Sequence, residues 1–399
     1  MNSHAPLAGI RVIEVGNFMA VPFCGMQLAD LGADVVKIEN PRGGDLTRAT
    51  GPFIEGESSN FIRLNRNKRS VALDLKSPAG KAAFRKLVAT ADVLIENLRP
   101  GTMHGLGLDY ETLRGDMPRL VYLAATGFGS SGPYTELPGL DIIAQGMSGL
   151  MSITGEPHGA PVKVGVPIAD LTCGLYGALA VVAALRARDR DGTGQFIDVS
   201  LLESAVSLAV WEAGRYFATG EVPLRAGSAH QSIAPYQAVR SVDGYFTLGA
   251  NSHAHWVRAC TALGLGELVD DARFATNEAR MINRPALIAA IEAVTLTQPA
   301  AHWTARLSAA GIPCGPILTF DRVFAEEHLA QRDFFADAPH TTLGPVRQLG
   351  CAMHFSQTPV TLERAGPLLG EHTCTVLREA GFEENDIAAL LQDGAAVSA

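Results

Sequence analysis

Asp170 is the residue whose type and position most directly suggest chemistry. It follows the apolar segment 164–169, at the point where a long helical pattern begins. A carboxylate at a helix N-terminus faces unpaired N–H groups and the positive end of the helix dipole, which favour its ionised form. Apolar neighbours restrict its hydration, so the pattern suits a nucleophile that attacks a carbonyl carbon and forms an anhydride. Asp is also a common helix N-cap, and position alone leaves that role open.

Eight sequence segments, one of which contains Asp170, resemble one family from end to end of the chain. Together they resemble the class III CoA-transferases, the group of formyl-CoA transferase and carnitine-CoA transferase. The resemblance implies that Asp170 is the catalytic aspartate. In order, the segments are LAGIRVIEVGNFMAVPFCGMQLADLGADVVKIENPRGGDLTR, LNRNKRSVALDLKSPAGK, ADVLIENLRPG, GFGSSGPYTELPGLD, KVGVPIADLTCGLYGALAV, GTGQFIDVSLLESA, GIPCGPI and PLLGEHT.

The resemblance implies transfer through covalent intermediates on Asp170. The carboxylate attacks a donor thioester, giving an aspartyl anhydride and CoA thiolate, and the thiolate then forms an aspartyl-CoA thioester and frees the donor acid. An acceptor carboxylate forms a second anhydride, which CoA resolves into the product. Each step must exclude water, and backbone N–H groups are expected to stabilise the oxyanions.

The resemblance also implies positions that contact coenzyme A. Many relatives carry Arg at the place of Asn40 or of Gly105, and Arg42, Arg99 and His104 are possible substitutes here. Lys76 is expected to be a phosphate partner. The implied contact positions are Phe18, Met19, Ala20, Asn40, Leu73, Lys76, Asn97, Leu98, Arg99 and His104.

Asp141 matches an acidic position beside the catalytic carboxylate in formyl-CoA transferases. It could orient Asp170 or the acyl group, or it could cap the helix that starts before Ile142. Racemases of the same fold resemble GHD at this point, whereas this chain has Leu140 before Asp141. Leucine cannot accept a proton, which disfavours an α-methylacyl-CoA racemase or isomerase. That reading and a CoA-binding protein without turnover remain the alternatives.

The acceptor acid is the least defined part of the prediction. The GGGGQ loop of formyl-CoA transferases is absent, and the sequence more closely resembles relatives that move CoA between dicarboxylic or hydroxy-dicarboxylic acids. The donor is expected to be similar to succinyl-CoA. His230, Gln231 and Tyr236 are candidate substrate contacts, and a polar domain linker is the equally open interpretation.

Two glycine-containing motifs do not predict nucleotide binding. Gly127-Phe-Gly129-Ser-Ser-Gly132 fits a dinucleotide fingerprint, but Pro133 follows at once and prevents the helix that would receive a pyrophosphate. The stretch around Gly80 and Lys81 lacks the remaining residues of a P-loop. No nicotinamide cofactor is therefore expected.

Composition favours a cytoplasmic enzyme. The net charge of −9 argues against nucleic acid as a partner, and the six cysteines show no metal-ligand spacing, so no metal is expected. No apolar run reaches the length needed to cross a membrane, and the first residues lack a signal-peptide pattern. The four cations between Arg63 and Arg69 could form a solvated loop or hold CoA phosphates.

Strand and helix patterns alternate through the first half of the chain. Strands are expected at 9–15, 34–39, 70–75, 93–95, 120–125 and 195–200, with helices at 22–31, after Ser77-Pro78, from Asp170 to about 188 and from 201 to about 219. This alternation predicts an α/β fold with a parallel sheet between helices.

A polar stretch with Gly and Pro at 221–234 predicts a linker between two domains. The expected arrangement is a large CoA-binding domain beginning with 1–220, a small α+β domain at 235–322, and a linker with the completing part of the large domain at 323–399. The resemblance implies a Rossmann-like large domain built from both chain ends and an interlocked homodimer.

Overall fold

The computed structural model describes residues 4–399, which form two compact units. The first unit contains the chain up to Leu150, Lys163–Gly214 and Glu327–Ala399; the second contains Met151–Val162 and Arg215–Glu326. The segment 151–162 lies within the range predicted for the large domain. It belongs with the second unit, where the N–H of Gly227 donates to the carbonyl of Gly155 at 3.0 Å.

The secondary structure of residues 4–399 includes both short and long elements. The strands are β1 (Arg11–Val15), β2 (Asp34–Glu39), β3 (Phe53–Ile54), β4 (Glu57–Ser58), β5 (Arg69–Leu73), β6 (Val93–Glu96), β7 (Val121–Thr126), β8 (Phe196–Ser200), β9 (Tyr236–Ser241), β10 (Gly244–Gly249), β11 (Cys314–Pro316), β12 (Phe335–His340), β13 (Gly344–Leu349) and β14 (Ala396–Val397).

The α-helices follow the strands in most of the first half and dominate the second unit. They are α1 (Ala20–Asp30), α2 (Ser59–Leu64), α3 (Pro78–Val88), α4 (Thr102–Leu106), α5 (Tyr110–Leu113), α6 (Asp141–Met147), α7 (Leu150–Ile153), α8 (Ile168–Asp191), α9 (Leu201–Ser207), α10 (Val210–Thr219), α11 (His253–Leu263), α12 (Asn277–Ile282), α13 (Arg284–Thr295), α14 (Ala300–Ala309), α15 (Phe320–Val323), α16 (Glu327–Gln331), α17 (Thr373–Glu379) and α18 (Glu384–Gln392).

The first unit is built on a seven-stranded sheet with the order β14-β5-β2-β1-β6-β7-β8. All its neighbouring strands are parallel except β14, which pairs antiparallel with β5. The central strands are rich in Val, Ile and Leu and are buried on both faces, as is typical of parallel strands between helices. The predicted α/β class with a parallel-rich central sheet is confirmed.

Helices cover both faces of this sheet. Ile13, Val36, Val71 and Leu94 pack in one cluster with residues of α3, α17 and α18. Helices α1 and α8 contact the same sheet but contribute no residue to that cluster, so they lie on the opposite face. Helices α17 and α18, from the C-terminal part of the chain, therefore lie on the same face of the sheet as α3.

Several predicted elements are confirmed, and one is wrong. Strand β2 has the predicted bounds, Ser77 caps α3 by accepting the N–H of Gly80, and α8 ends before Gly192 with a left-handed φ of 79°. The single helix expected from 201 to 219 is two helices. At the break, the N–H of Ala209 bonds the carbonyl of Val206, a tightened last turn that ends α9 without any glycine or proline signal.

The second unit has its own core. Its antiparallel sheet, of order β11-β10-β9, packs with α11, α13 and α14 around Phe246, Trp256, Leu287 and Leu307. Helices α11 to α14 lie between the β9-β10 hairpin and strand β11 in the sequence, so the fold of this unit is mixed α and β.

Helix α8 is the one helix within residues 4–399 that is long and apolar enough to cross a membrane by length and composition. The sequence did not predict a membrane-spanning helix here, because polar residues interrupt the apolar stretch before it reaches that length. Half of the apolar window is buried within the protein, and core helices pass the same test. The finding is weak evidence for a membrane span.

Candidate active site

The positions predicted to contact coenzyme A follow parallel strands at one edge of the sheet. Phe18 comes after β1, Asn40 after β2, Leu73 ends β5 and Asn97 comes after β6. From β1 the chain builds the sheet outward through β2 and β5, and it then returns to the other side of β1 with β6. The crevice between the loops after β1 and β6 is therefore a topological switch point, where open α/β sheets bind ligands.

Long-range hydrogen bonds hold the loop between β1 and α1. Asn97 accepts the N–H of Asn17 with Oδ1 and donates Nδ2–H to its carbonyl, both at 2.9 Å. Asp45 Oδ1 accepts the N–H of Phe18 at 3.3 Å. Phe18 has a left-handed φ of 61°, a costly conformation for an aromatic residue, and 52% of it is exposed. The loop is held in a strained form that leaves this ring at the crevice.

A buried charge network lies below the loop. Lys37 Nζ is 2.8 Å from carboxylate oxygens of Glu14 and Asp45, and Lys68 Nζ is 2.8 Å from Glu14. Burial lowers the pKa of Lys68 to about 8 against the opposing effect of Glu14. Burial also works against the charge of Lys37, but the neighbouring carboxylates raise its pKa overall. Losing one partner would leave a buried charge at a cost of about 3–5 kcal/mol, so the network fixes Asp45 firmly.

Asp170 lies beside this loop because α8 packs against α1. A Cβ added to Gly174 would lie 2.7 Å from the carbonyl oxygen of Ala20, and one on Gly177 would lie 3.3 Å from Cys24 Sγ. The two helices therefore run in the same direction, and the residues before Gly174 lie toward the loop before Ala20. Asp170, one turn earlier, occupies that end of the crevice.

The carboxylate of Asp170 is desolvated and lacks a donor. It is the third residue of α8, whose N-cap is Pro167, so Asp170 is not the N-cap that its position also allowed. No hydrogen-bond donor within residues 4–399 reaches its side chain. Burial, with a smaller effect from the charge of Asp141, raises the pKa of Asp170 to about 7. The sequence predicted that the helix N-terminus favours the ionised form of Asp170. In the structure this effect does not keep the carboxylate fully ionised at neutral pH, because desolvation opposes the charge.

Asp141 lies at the start of α6 but caps a different helix. Its Oδ1 accepts the N–H of Ala169 at 2.9 Å, in the first turn of α8, and its Oδ2 accepts a hydrogen bond from Gln145 at 2.7 Å. The N-cap of α6 is Leu140, and no side chain caps it. Of the two predicted roles, the geometry favours orientation of Asp170, because Asp141 bonds the residue directly before it.

Gln145 belongs to the same arrangement and was missed from sequence. It is fully buried, and its Oε1 accepts the N–H of Val164 at 2.8 Å while its amide donates to Asp141. The available signal was the spacing of Asp141 and Gln145, which places both on one face of a helix. Nothing in the sequence indicated that the partner of this face would be the segment before α8.

The loop that fits the dinucleotide fingerprint makes a tight crossing instead of opening a helix. A Cβ on Gly139 would lie 2.3 Å from the Cα of Gly127, so the two ends of the loop touch and only glycine fits. Ser130 donates its N–H to Asp198 at 2.8 Å, and the next helix, α6, begins only at Asp141. The crossing leads the chain directly into the residues that support α8.

A known protein family covers most of the chain. The family model described as CoA-transferase family III matches residues 7–373. The chain belongs to that family.

Two named relatives and a solved structure cover almost the whole chain of this CoA-transferase. A succinate–glutarate CoA-transferase of Agrobacterium fabrum is 42% identical over 385 residues, 95% of this chain and 96% of the relative. A succinyl-CoA:glutarate CoA-transferase of Mus musculus is 38% identical over 395 residues, 98% and 91%. The crystal structure of a CAIB/BAIF family protein from Brucella suis is 41% identical, with a TM-score of 0.85, and the match covers 94% of this chain and 99% of that chain.

The exposed cations near the crevice of the CoA-transferase differ from those of the basic run 63–69, most of which form ion pairs inside the protein. Arg42, Lys76, Arg99 and His104 are exposed near the crevice, although His104 also lies 3.1 Å from Asp109. The basic run 63–69 is largely internal. Its paired members are Arg66 with Asp30, Lys68 with Glu14, and Arg69 with Asp34 and Glu379. The run stabilises the fold, and the geometry does not support its alternative role at CoA phosphates.

The three candidate acceptor contacts of the CoA-transferase lie in the second unit. The N–H of His230 donates to the carbonyl of Tyr236 at 2.9 Å, and their rings are 5.0 Å apart. The carbonyl of Gln231 accepts from Arg215 at 3.3 Å. These contacts order the loop within its own unit.

No group of three or more His, Cys, Asp or Glu residues between 4 and 399 is arranged to hold a metal ion, and the six cysteines are free.

Proposed function

We propose that the protein transfers CoA from succinyl-CoA to a dicarboxylic or hydroxy-dicarboxylic acid through covalent intermediates on Asp170. The observation that carries the proposal is the Asp170 carboxylate, which has no bonded donor and lies at the first turn of α8 beside the Phe18 loop. Both named relatives use glutarate with succinate or succinyl-CoA, which supports a dicarboxylic acceptor.

In the first half of the reaction, an Asp170 oxygen attacks the thioester carbonyl and expels CoA thiolate, leaving an aspartyl–succinyl anhydride. The thiolate attacks the aspartyl carbonyl, the anhydride C–O bond breaks, and succinate leaves with one oxygen of Asp170. In the second half, an acceptor carboxylate displaces CoA from aspartyl-CoA. The returning thiolate then attacks the acceptor carbonyl, and Asp170 is released with one acceptor oxygen.

The environment of Asp170 favours its acylation. Burial and the charge of Asp141 both oppose a negative Asp170, and these effects are relieved when the carboxylate becomes a neutral anhydride or thioester. A raised pKa also makes the ionised carboxylate more basic and a better nucleophile. In the first turn of α8 the N–H of Ile168 donates to Val166 and the N–H of Ala169 donates to Asp141. The donors proposed for the oxyanions are therefore the first N–H groups of α1, at Ala20 and Val21, which have no partner within their own helix.

The CoA-binding residues are proposed along the carboxyl edge of the sheet. Phe18, Met19 and Ala20 would lie near the thioester, and Asn97, Leu98 and Leu73 farther along the crevice. The phosphates would be held by exposed cations, because exposed cationic side chains can turn toward an anionic ligand; His104 would first have to leave the carboxylate of Asp109. The candidates are Lys76, Arg42, Arg99 and His104, with Asn40 as a polar contact.

His230, Gln231 and Tyr236 are proposed to recognise the acceptor acid. An imidazole, an amide and a phenol can all donate hydrogen bonds to a distal carboxylate. The absence of a GGGGQ loop separates this sequence from formyl-CoA transferases at the same region.

A homodimer is proposed from the surface of α6, α8 and α9. These helices pack together, and several large apolar side chains on or next to them are exposed in the single chain, as at surfaces that bind another protein. A second copy of the chain is the occupant that we propose. The face includes Leu140, Ile142, Ile143, Met147, Leu175, Leu179, Val206 and Leu208.

The test is a screen of free acids with succinyl-CoA, in which new thioesters are detected by mass. Wild-type enzyme should form glutaryl-CoA or a related dicarboxylic thioester, and Asp170→Ala should form none while it still binds CoA. Exchange of the α-hydrogen for deuterium without an acceptor acid would instead indicate the isomerase. Tight thioester binding without exchange or transfer would indicate a protein that only binds CoA.

A further inference from the structure

Gln145 connects the two segments that carry the candidate carboxylates. Its amide nitrogen lies 2.7 Å from Asp141 Oδ2 and its amide oxygen lies 2.8 Å from the nitrogen of Val164. Reversing the amide would set oxygen against the carboxylate and N–H against N–H. The orientation is therefore determined by chemistry, and the side chain is fully buried.

The two bonds act on opposite sides of the entry into α8. Val164 begins the segment that enters the helix, and Asp141 bonds the N–H of Ala169 directly before Asp170. The N-cap residue of α8 is Pro167, whose side chain cannot accept a hydrogen bond, so the segment Val164–Ala169 supplies no side-chain cap for the helix. Position and direction of the first turn thus depend on α6, which lies elsewhere in the chain.

We propose that Gln145 is a positioning residue for CoA transfer, which fixes the Asp141 carboxylate and the segment Val164–Ala169 and thereby the direction of Asp170. The inference rests on the proposed function, because it concerns the geometry of the same nucleophile. A displacement of about 1 Å at a reacting group is enough to cost roughly a hundredfold in rate.

The charge acting on Asp170 comes from this arrangement. Within residues 4–399, Asp141 on α6 is the ionisable group whose charge raises the pKa of Asp170. The other titratable groups on elements that pack against α8 are neutral or bonded elsewhere. They are Cys173, Cys24 and Tyr122, whose pKa values burial raises, Asp30 with Arg66, Asp198 with Ser130, and Glu203 with Ser200.

A residue exchange separates this role from simple packing. In the double variant Asp141→Asn with Gln145→Glu, the amide and the carboxylate trade places. The new Asn can accept from Ala169 and donate to the new Glu, which can also accept from Val164. Every hydrogen bond is retained, while the negative charge moves one helical turn along α6. Either single change leaves two donors or two carboxylates facing each other.

The experiment measures transfer kinetics across pH for wild type, Gln145→Leu, both single exchange variants and the double exchange. Gln145→Leu should lower kcat roughly 10–100-fold and change KM for succinyl-CoA less than about threefold. The double exchange should be more active than either of its single changes. Its acid limb in kcat/KM should move to lower pH by at least about half a unit, because Asp170 loses its nearest negative neighbour.

Gln331→Leu is the matched control, because Gln331 also donates to a carboxylate four residues earlier, Glu327, at 2.8 Å, but on an exposed helix. It should leave both rate and pH profile unchanged. If Gln145→Leu fails to fold, as judged by thermal melting, the double exchange decides the question.

Active wild type with an unaffected Gln145→Leu, or a double exchange no better than its single changes, would overturn this inference alone. A wild type without any transfer activity would overturn the proposed function and this inference with it.

Discussion

At the scale of single residues, the properties of Asp170 come from its surroundings more than from its place on a helix. Its carboxylate has a pKa of about 7 because burial and Asp141 act together against the charge. In the proposed mechanism, acylation of Asp170 would remove the same effects that reduce its ionisation. If Asp170 is the nucleophile, as proposed, the fraction of the enzyme in which it is protonated at neutral pH would be inactive.

We therefore expect an acid limb in the pH dependence of kcat/KM. Below a pH of about 7 Asp170 is protonated and cannot attack, so log kcat/KM should fall with unit slope as the pH decreases. Initial rates with succinyl-CoA, measured from about pH 5 to about pH 9, give this pH dependence of kcat/KM. A flat profile down to the ordinary range of aspartate would contradict the assignment.

Asp170 should also destabilise the folded protein above acidic pH. Its pKa rises from 3.8 unfolded to about 7 folded, so the native state binds the extra proton and stability falls as pH increases through that window. Asp170→Asn removes the loss. The melting temperature of Asp170→Asn should exceed that of wild type by more at about pH 8 than at about pH 4. An equal difference at both pH values would show that Asp170 does not titrate in this window.

Sequence reasoning found Asp170 and Asp141 but not what holds them. Asp170 follows an apolar segment at a helix start and lies in a motif of the family, and both signals are local. The pairs Asn17–Asn97 and Glu14–Lys37 join residues far apart in the sequence or on separate strands. No local spacing indicates which buried cation meets which carboxylate, because only the folded sheet brings them together.

At the scale of elements, the contact between α1 and α8 sets the distance between the Phe18 loop and Asp170. Gly174 permits that contact, since a Cβ there would lie 2.7 Å from a backbone oxygen that cannot rotate away. Strand β2, the cap of α3 and the end of α8 were predictable because each has a local signal. The break between α9 and α10 was not, because apolar residues continue across it.

Gly174→Ala should separate the two helices. We expect a loss of about 1–3 kcal/mol in the free energy of unfolding from overpacking. Activity should fall at least about tenfold in kcat/KM because the nucleophile moves away from the thioester. Chemical denaturation and steady-state kinetics measure the two effects.

Gly214→Ala is the matched control for this helix substitution. Gly214 lies inside α10, and a Cβ there would meet nothing within 4 Å. The change should leave activity intact and stabilise the helix by about 0.5–1 kcal/mol. Equal losses of stability and of kcat/KM in Gly174→Ala and Gly214→Ala would contradict a specific role of the α1–α8 contact.

At the scale of the whole molecule, the chain combines a family fold with an apolar face on α6, α8 and α9. The parallel sheet was predictable from alternating strand and helix patterns. The assignment of 151–162 to the second unit was not, because it depends on backbone bonds such as Gly227 to Gly155 rather than on composition.

Leu179→Lys should weaken the proposed homodimer. Leu179 lies on the apolar face of α8 and is 65% exposed in the single chain, so a lysine there is tolerated by the monomer but not by a dry interface. Light scattering during size exclusion should show a lower mass. Val242→Lys, at a 61% exposed valine in the second unit, is the control and should keep the wild-type mass. A monomeric wild type would contradict the dimer.

The central claim is that Asp170 carries the acyl group and then CoA, and oxygen labelling tests it most directly. Enzyme is incubated for a single turnover with succinyl-CoA and an acceptor acid labelled with oxygen-18 in its carboxylates, and the peptide spanning residues 166–176 is analysed by mass. The account predicts that Asp170 gains one labelled oxygen, and that hydroxylamine modifies it when donor thioester is present. An unlabelled and unmodified Asp170 in enzyme that has formed the product thioester would contradict the account.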